Sequence, residues 1–257
     1  MSDLRLALRQ VRYENRSFWR NPAAAFFTFA FPLMFLVIFN LIFGGGTTKR
    51  FGAEVSLSTF YIPAVAAFAV ITACYTNIAI GVVFARDEGV LKRIRGTPLP
   101  GWTYLFGRIL HAVIVGILLV IIVVLFGRVF YSVEIHARTL PAFVVSIAVG
   151  SACFASLGLA MTAAVPNPDA APAVVNATIL PLLFISDIFI PLENAPSWLG
   201  KFSGVFPIKH FSHALVTAYD PFGKGSGFVA SDLAVMAAWG VAGVVFAARF
   251  FSWEPRR

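Results

Sequence analysis

The sequence predicts an all-α membrane protein of six transmembrane helices, and three observations carry that prediction. Of the 257 residues, 59% are hydrophobic and only 12% charged, against about 45 to 50% and about 25% in ordinary soluble domains. The apolar residues gather in uncharged runs of about twenty, the length a helix rising about 1.5 Å per residue needs to cross a hydrocarbon core about 30 Å thick. The runs are continuously apolar, whereas the strands of a membrane barrel would alternate polar and apolar over about ten residues.

The chain carries 20 Lys and Arg against 12 Asp and Glu. These charges sit at the ends of the apolar runs, with no separate basic domain, so they match an anionic membrane surface and no nucleic-acid partner is expected. Cys74 and Cys153 lie inside apolar runs; neither a disulfide framework nor a Cys-rich metal site is available, and both read as packing residues.

Residues 1–22 come first. Leu4, Leu8, Val11 and Phe18 recur at helical spacing beside a stripe of Arg5, Arg9, Arg12, Arg16 and Arg20, the pattern of a helix lying in the membrane interface. The same arginines also serve as a positive-inside anchor. Asn21-Pro22 ends the segment, and the run that follows is too long, and lacks a small-residue cleavage site, for a removable signal peptide.

Residues 23–257 then supply six predicted spans, at 23–43, 59–84, 105–130, 140–165, 171–191 and 229–251. The fifth and sixth are the weakest by pattern, because Asp187 and Asp232 fall near their ends. With a cytoplasmic N-terminus, thirteen Lys and Arg fall on the inner side (Arg5, Arg9, Arg12, Arg16, Arg20, Arg86, Lys92, Arg93, Arg95, Arg108, Arg249, Arg256, Arg257) and seven outside (Lys49, Arg50, Arg128, Arg138, Lys201, Lys209, Lys224). That bias, with an even number of spans, places both termini in the cytoplasm of a multi-pass inner-membrane protein.

Two connections carry information. In the inner loop 86–99, Asp87 and Glu88 suit the start of a short helix, Lys92 to Arg95 its end, and Val90, Leu91 and Ile94 one face. Gly96 and Pro98 stop it. Such a helix is either a docking knob for a soluble partner or a solvated charged hairpin. The outer loop 192–228 follows Phe189-Ile190-Pro191 and holds Pro196, Trp198 and Pro207. Prolines cannot continue a regular span and Trp prefers the interface, so the segment is expected to fold back against the membrane as short helices.

Taken together, the arginine-rich leader, the loop Glu88-Gly89-x-Leu91-Lys92-Arg93 to Thr97-Pro98-Leu99, and the Pro191 to Trp198-Leu199 segment resemble the ABC-2 type permeases, including daunorubicin-resistance-like drug exporters. The match runs over essentially the whole chain in order and spacing. It implies a permease that pairs with a second copy or a paralogue and recruits two ATP-binding-cassette subunits, which hold ATP and Mg. It further implies an interfacial N-terminal helix, external re-entrant helices at Pro191, Pro196, Trp198 and Pro207, and coupling to the ATPase through Arg86, Asp87, Glu88, Gly89, Leu91, Lys92, Arg93, Thr97 and Pro98.

Polar residues within spans are costly in lipid and are functional candidates: Asn40, Asn77, His111, Asn176, Asp187 and Asp232. Asn77, Asn176 and Asp187 are the candidates for a substrate pathway. The alternative for each is structural, with Asn77 and Asn176 bonding between helices and His111, Asp187 and Asp232 lying near headgroups.

No catalytic residues, bound cofactor or metal are expected on this chain. It has no HExxH helix, no paired Asp-rich motifs and no G-x-x-x-x-G-K-[ST] phosphate loop, and His111, His136, His210 and His213 are not arranged as a ligand set. An ion-coupled carrier would show an inverted repeat with broken helices in corresponding halves, which is not visible. The expected cargo is bulky and hydrophobic or amphipathic, drug-like or lipid-like, because convergent polar groups at mid-membrane are few. A lipid-linked glycan or polymer is the alternative.

Overall fold

The computed structural model describes residues 3–43, 46–50, 53–133, 137–189, 196–219 and 225–254. Helix α1, Asp3–Trp19, is followed by Asn21, whose side chain accepts the Ala24 N–H at 3.1 Å and so caps α2, Pro22–Phe43. Only Ala25, Pro32, Leu36 and Asn40 of α2 are buried, on one stripe. Its outer face leaves Phe26, Phe27, Leu41 and Ile42 largely exposed, a surface suited to lipid rather than water.

Two short strands, β1 Thr47–Arg50 and β2 Ala53–Ser56, pair antiparallel with Thr47 opposite Ser56. They are the described exception to the all-α prediction. Ser56 Oγ accepts the Thr59 N–H at 3.4 Å, starting α3, Leu57–Ile71. A π-helical turn, Thr72–Thr76, joins α3 to α4, Asn77–Asp87, with the Asn77 N–H donating to the Thr72 carbonyl five residues back. This continuous helix is the centre of the bundle, with every residue from Phe60 to Ile71 buried.

The short α5, Val90–Arg95, precedes the 31-residue α6, Gly101–Tyr131, then α7, Leu140–Met161. Helix α7 crosses the π-helical turn at Gly158, where a Cβ would lie 2.8 Å from the Tyr75 carbonyl oxygen and 3.0 Å from that of Cys74. Backbones approach this closely in membrane bundles only where the side chain is absent or very small.

Helices α8, Ala171–Phe184, α9, Ser197–Ser203, α10, Pro207–Ala218, and α11, Ala230–Phe250, complete the order. Among the described residues, five continuous helices are long and apolar enough to cross a membrane: α2, α3 to α4, α6, α7 and α11. The predicted fifth span differs. Helix α8 has 14 residues and covers about 21 Å, short of the hydrocarbon core. Pro181 sits inside it, and the chain turns after Phe184, reaching left-handed φ 58° at Asp187. Beyond the turn Phe189 is buried among Phe35, Phe39, Phe68 and Phe184, with ring centroids 5.0 to 5.8 Å apart. Pro191 lies outside the described residues, as do His136, Lys224, Arg256 and Arg257.

The bundle has two distinguishable ends. At one, α5 lies beside the end of α11, where Arg95 is 3.8 Å from Glu254. At the other are the β hairpin, the start of α7 and the end of α10, with Phe143 and Tyr219 in edge contact at 5.5 Å.

Candidate functional site

The α5 end carries most of the residues predicted to couple to a partner. Glu88 closes α4, and Gly89 adopts φ 70° before α5 begins; a residue with a Cβ would be strained in that left-handed conformation. The turn is tied by Arg93 Nη2 donating to the Glu88 carbonyl at 3.1 Å and by Thr97 Oγ1 donating to the Ile94 carbonyl at 2.7 Å. Leu91 is fully buried and anchors the helix, while Asp87, Glu88, Lys92, Arg93, Thr97 and Pro98 are exposed.

Arg86 stands apart from this set. It is buried, and its guanidinium donates to the carbonyls of Thr162 at 3.1 Å and Val165 at 2.9 Å. It satisfies carbonyls left open at the end of α7 and brings a positive charge to that negative helix end.

The leader helix α1 packs on α6 through Ala7, Gln10, Glu14 and Phe18, which are less exposed than its other faces. Arg5, Arg9, Arg12, Arg16 and Arg20 are all exposed, and so is Leu8. The face turned to the protein is therefore partly polar, and Leu8, from the predicted apolar stripe, points away from it.

Between α1, α2, α4 and α6 lies a cavity of about 500 Å³ that joins Asn77 to Glu14, Arg108 and His111. Arg108 donates to Tyr104 Oη at 2.8 Å and lies 3.9 Å from Glu14. The spacing of Tyr104, Arg108, His111 and Val115 places them on one face of α6, a pattern present in the sequence but masked by the apolar run around it. A second cavity, about 320 Å³, is almost wholly apolar and is walled by Phe154, Leu182, Phe206, Trp239 and Phe246. Its one polar feature is the Tyr75 to Thr178 hydroxyl pair at 2.8 Å.

Asn77 and Asn176 are exposed and make no side-chain hydrogen bond among the described residues, so the interhelical bond considered for each is not formed there. Asn176 lines neither cavity. Asp187 sits at the turn after α8, where its carbonyl accepts from Ser212 Oγ at 3.2 Å. The three predicted pathway residues are not brought together.

Sequence reasoning missed one cluster. Asp232, in the first turn of α11 and 5% exposed, receives both His210 and His213 of α10, with each Nδ1 2.6 Å from a different carboxylate oxygen. His210 Nε2 is 2.8 Å from the Gly204 carbonyl. Both nitrogens of that ring therefore face acceptors. The available signal was the i, i+3 spacing of the two histidines, whereas their partner is distant in sequence. Lys209 on the same helix donates to the Gly200 carbonyl at 2.8 Å, tying α9 to α10, and Trp239 Nε1 donates to the Val205 carbonyl at 2.8 Å. Among the external-segment residues, Trp198 is exposed on α9, Pro196 precedes it and Pro207 opens α10.

Among the described residues, five long apolar helices, one of them the buried helix with the π-helical turn, together with a basic leader and a short charged helix at one end, define a multi-pass helical membrane protein. The chain belongs to the ABC-2 type transporter family, whose model matches residues 8–219. It is 24% identical to the "Probable multidrug ABC transporter permease YbhR" of Escherichia coli K12 over 153 residues, 60% of this chain and 41% of that one. It is 29% identical to the "Daunorubicin resistance ABC transporter permease protein DrrB1" of Streptomyces coeruleorubidus over 194 residues, 71% of this chain and 64% of that one. The chain spans between 41 and 66% of the length of the curated relatives it matches.

Proposed function

We propose that this chain is the membrane-spanning permease subunit of an ATP-binding-cassette exporter, acting without catalysis of its own while a separate ATPase, present in two copies, binds ATP and Mg. The observation that carries the reading is α5. It is a short basic helix set off from α4 by the left-handed Gly89, anchored by Leu91, and exposing Lys92, Arg93 and Arg95, with Asp87 and Glu88 exposed at the adjoining end of α4. On this reading the α5 end faces the cytoplasm with both termini. Residues 1–22 form an interfacial helix and 23–257 the membrane domain. Helix α8 and the turn after it act as the fifth of six spans, and α9 with α10 form an external re-entrant hairpin in the 192–228 loop. The packing of Phe211 on Gly150 and of Trp239 on Val205, both near the middle of long helices, supports that hairpin.

The cargo on this reading is bulky and apolar or amphipathic. The near absence of polar groups in the smaller cavity supports it, since a small hydrophilic solute needs convergent hydrogen-bonding groups. The permease pairs with a second copy or a paralogue, and exposed faces of α2 and α11 are available for that contact. The test is reconstitution with a co-purifying ATPase in nanodiscs, with hydrolysis measured against hydrophobic drugs, lipids, glycans and small polar solutes. Stimulation by hydrophobic or amphipathic compounds is expected. Stimulation by small polar solutes alone, or failure of any phosphate-loop ATPase to co-purify, overturns it.

A further inference from the structure

We propose that the cavity between α1, α2, α4 and α6 is a binding site for the headgroup of an acidic phospholipid, with Arg108, His111 and Asn77 as its polar contacts. Two unsatisfied polar groups converge there. His111 is nine-tenths buried, and its Nε2 has no hydrogen-bond partner. Asn77 is an exposed amide on a membrane helix, likewise without a partner. A buried imidazole nitrogen left without a partner carries an uncompensated desolvation cost, which a ligand that bonds it as well as the Asn77 amide would remove.

The third group sets the charge of that ligand. Arg108 has five N–H donors, and its described bonds are one hydrogen bond to Tyr104 and a 3.9 Å approach to Glu14, which is beyond hydrogen-bonding distance. Glu14 in turn accepts from Gln10 at 3.1 Å. Residue 81 on α4 is glycine, and an added Cβ there would collide with Arg108 Nη2, so the guanidinium reaches across the cavity to α4. Arg108 thus keeps N–H donors beyond those turned to Tyr104 and Glu14, and a phosphate oxyanion is their complement.

Position and opening select a lipid. Helix α6 has 31 residues, about 46 Å, so its first two turns extend past a hydrocarbon core of about 30 Å and put Arg108 at headgroup depth. Exposed Ala24 of α2 and Phe84 of α4 mark the rim, while Phe18, Ile80 and Val115 supply apolar walls for acyl chains. Placement at the inner leaflet rests on the proposed orientation, which impermeant labelling at Lys201 tests separately; binding does not depend on the ATPase or the cargo.

The experiment is native mass spectrometry of the full chain in detergent, titrated with phosphatidylglycerol, diacylglycerol and inorganic phosphate. Phosphatidylglycerol is expected to bind about tenfold or more tighter than diacylglycerol, and millimolar phosphate is expected not to displace it. Arg108→Gln and Gly81→Ala should each weaken phosphatidylglycerol roughly tenfold, and Asn77→Leu roughly threefold, with diacylglycerol unchanged. Asn77→Leu guards against misfolding, since the exposed amide supports no contact in the fold. Equal phosphatidylglycerol binding by wild type and Asn77→Leu and Gly81→Ala overturns the site, and displacement by inorganic phosphate alone overturns its assignment to a lipid.

Discussion

Nδ1 of His210 lies 2.6 Å from Oδ1 of Asp232, a contact between α10 and the first turn of α11 that His213 doubles on the other carboxylate oxygen. The carboxylate is nearly buried, and removing one partner of such a group leaves the other unsatisfied. Asp232→Asn should therefore lower stability by about 2 kcal/mol, read as a fall of several degrees in the thermal midpoint in detergent. His210→Gln should cost nearly as much, and the double variant less than the sum, as expected for residues in one network. Additive losses would show that His210 and Asp232 are not coupled, and unchanged thermal midpoints in the single variants would show that the clasp contributes nothing.

Gly158 faces backbone, not a flexible side chain, so Gly158→Ala forces α7 away from the π-helical turn. A loss of about 1 to 3 kcal/mol follows from such overpacking. At Gly240 the nearest atom to an added Cβ is 3.4 Å away on Cys153, and Gly240→Ala should be tolerated. Comparing the folded fraction of the two variants by size-exclusion chromatography after heating checks the contrast; equal survival would refute it.

Arg86 and Glu88 are two residues apart but should fail differently. Arg86→Ala removes two charge-assisted bonds from the end of α7, which predicts about 3 kcal/mol of lost stability and reduced yield. Glu88→Ala should leave insertion and folding nearly intact, and Gly89→Val, strained at φ 70°, should displace α5 locally while the spans still insert; both should lower substrate-stimulated ATP hydrolysis severalfold in the reconstituted complex. Normal stimulation by the Gly89→Val protein would remove α5 from the coupling route.

Cys74 and Cys153 are both buried, so an added surface thiol can be labelled with little background. Lys201→Cys, exposed on α9, should react with an impermeant maleimide in intact cells. Reaction only after the inner face is opened would reverse the proposed orientation.

Filling the apolar cavity tests its role. Ala160→Phe adds a ring beside Leu157 and Met161 and should reduce stimulation by bulky hydrophobic compounds several-fold, with basal hydrolysis preserved. Unchanged stimulation would move the cargo path elsewhere.

Much of the fold was legible because hydrophobic run length is a direct readout of membrane thickness. The ends of α2 and α7 fall within a few residues of the predicted spans, and the end of the short helix in 86–99 was readable from Lys92 to Arg95 and the stop at Gly96, whereas Asp87 and Glu88, expected at its start, close α4 instead. What escaped depends on three-dimensional context. The shortening of α8 arises where Pro181 and the turn at Asp187 interrupt a run whose composition alone still reads as a span. The π-helical turn at Thr72–Thr76 has no compositional mark. Arg86 looked like its charged neighbours until α7 placed carbonyls against it, and His210 with His213 acquired a meaning only when α11 delivered Asp232.

The tie between Arg86 and the end of α7 has a mechanical corollary. Because the guanidinium holds carbonyls of Thr162 and Val165, the lower parts of α4 and α7 form a yoke, and Gly89 is the joint at which α5 attaches to it. A load applied to α5 is thereby shared between two helices instead of bending one. The yoke ends short of the π-helical turn Thr72–Thr76, where the central helix leaves α-helical hydrogen bonding. On the proposed coupling route, force delivered at the α5 end would reach that turn beside the two cavities that Tyr75 and Asn77 border on either side.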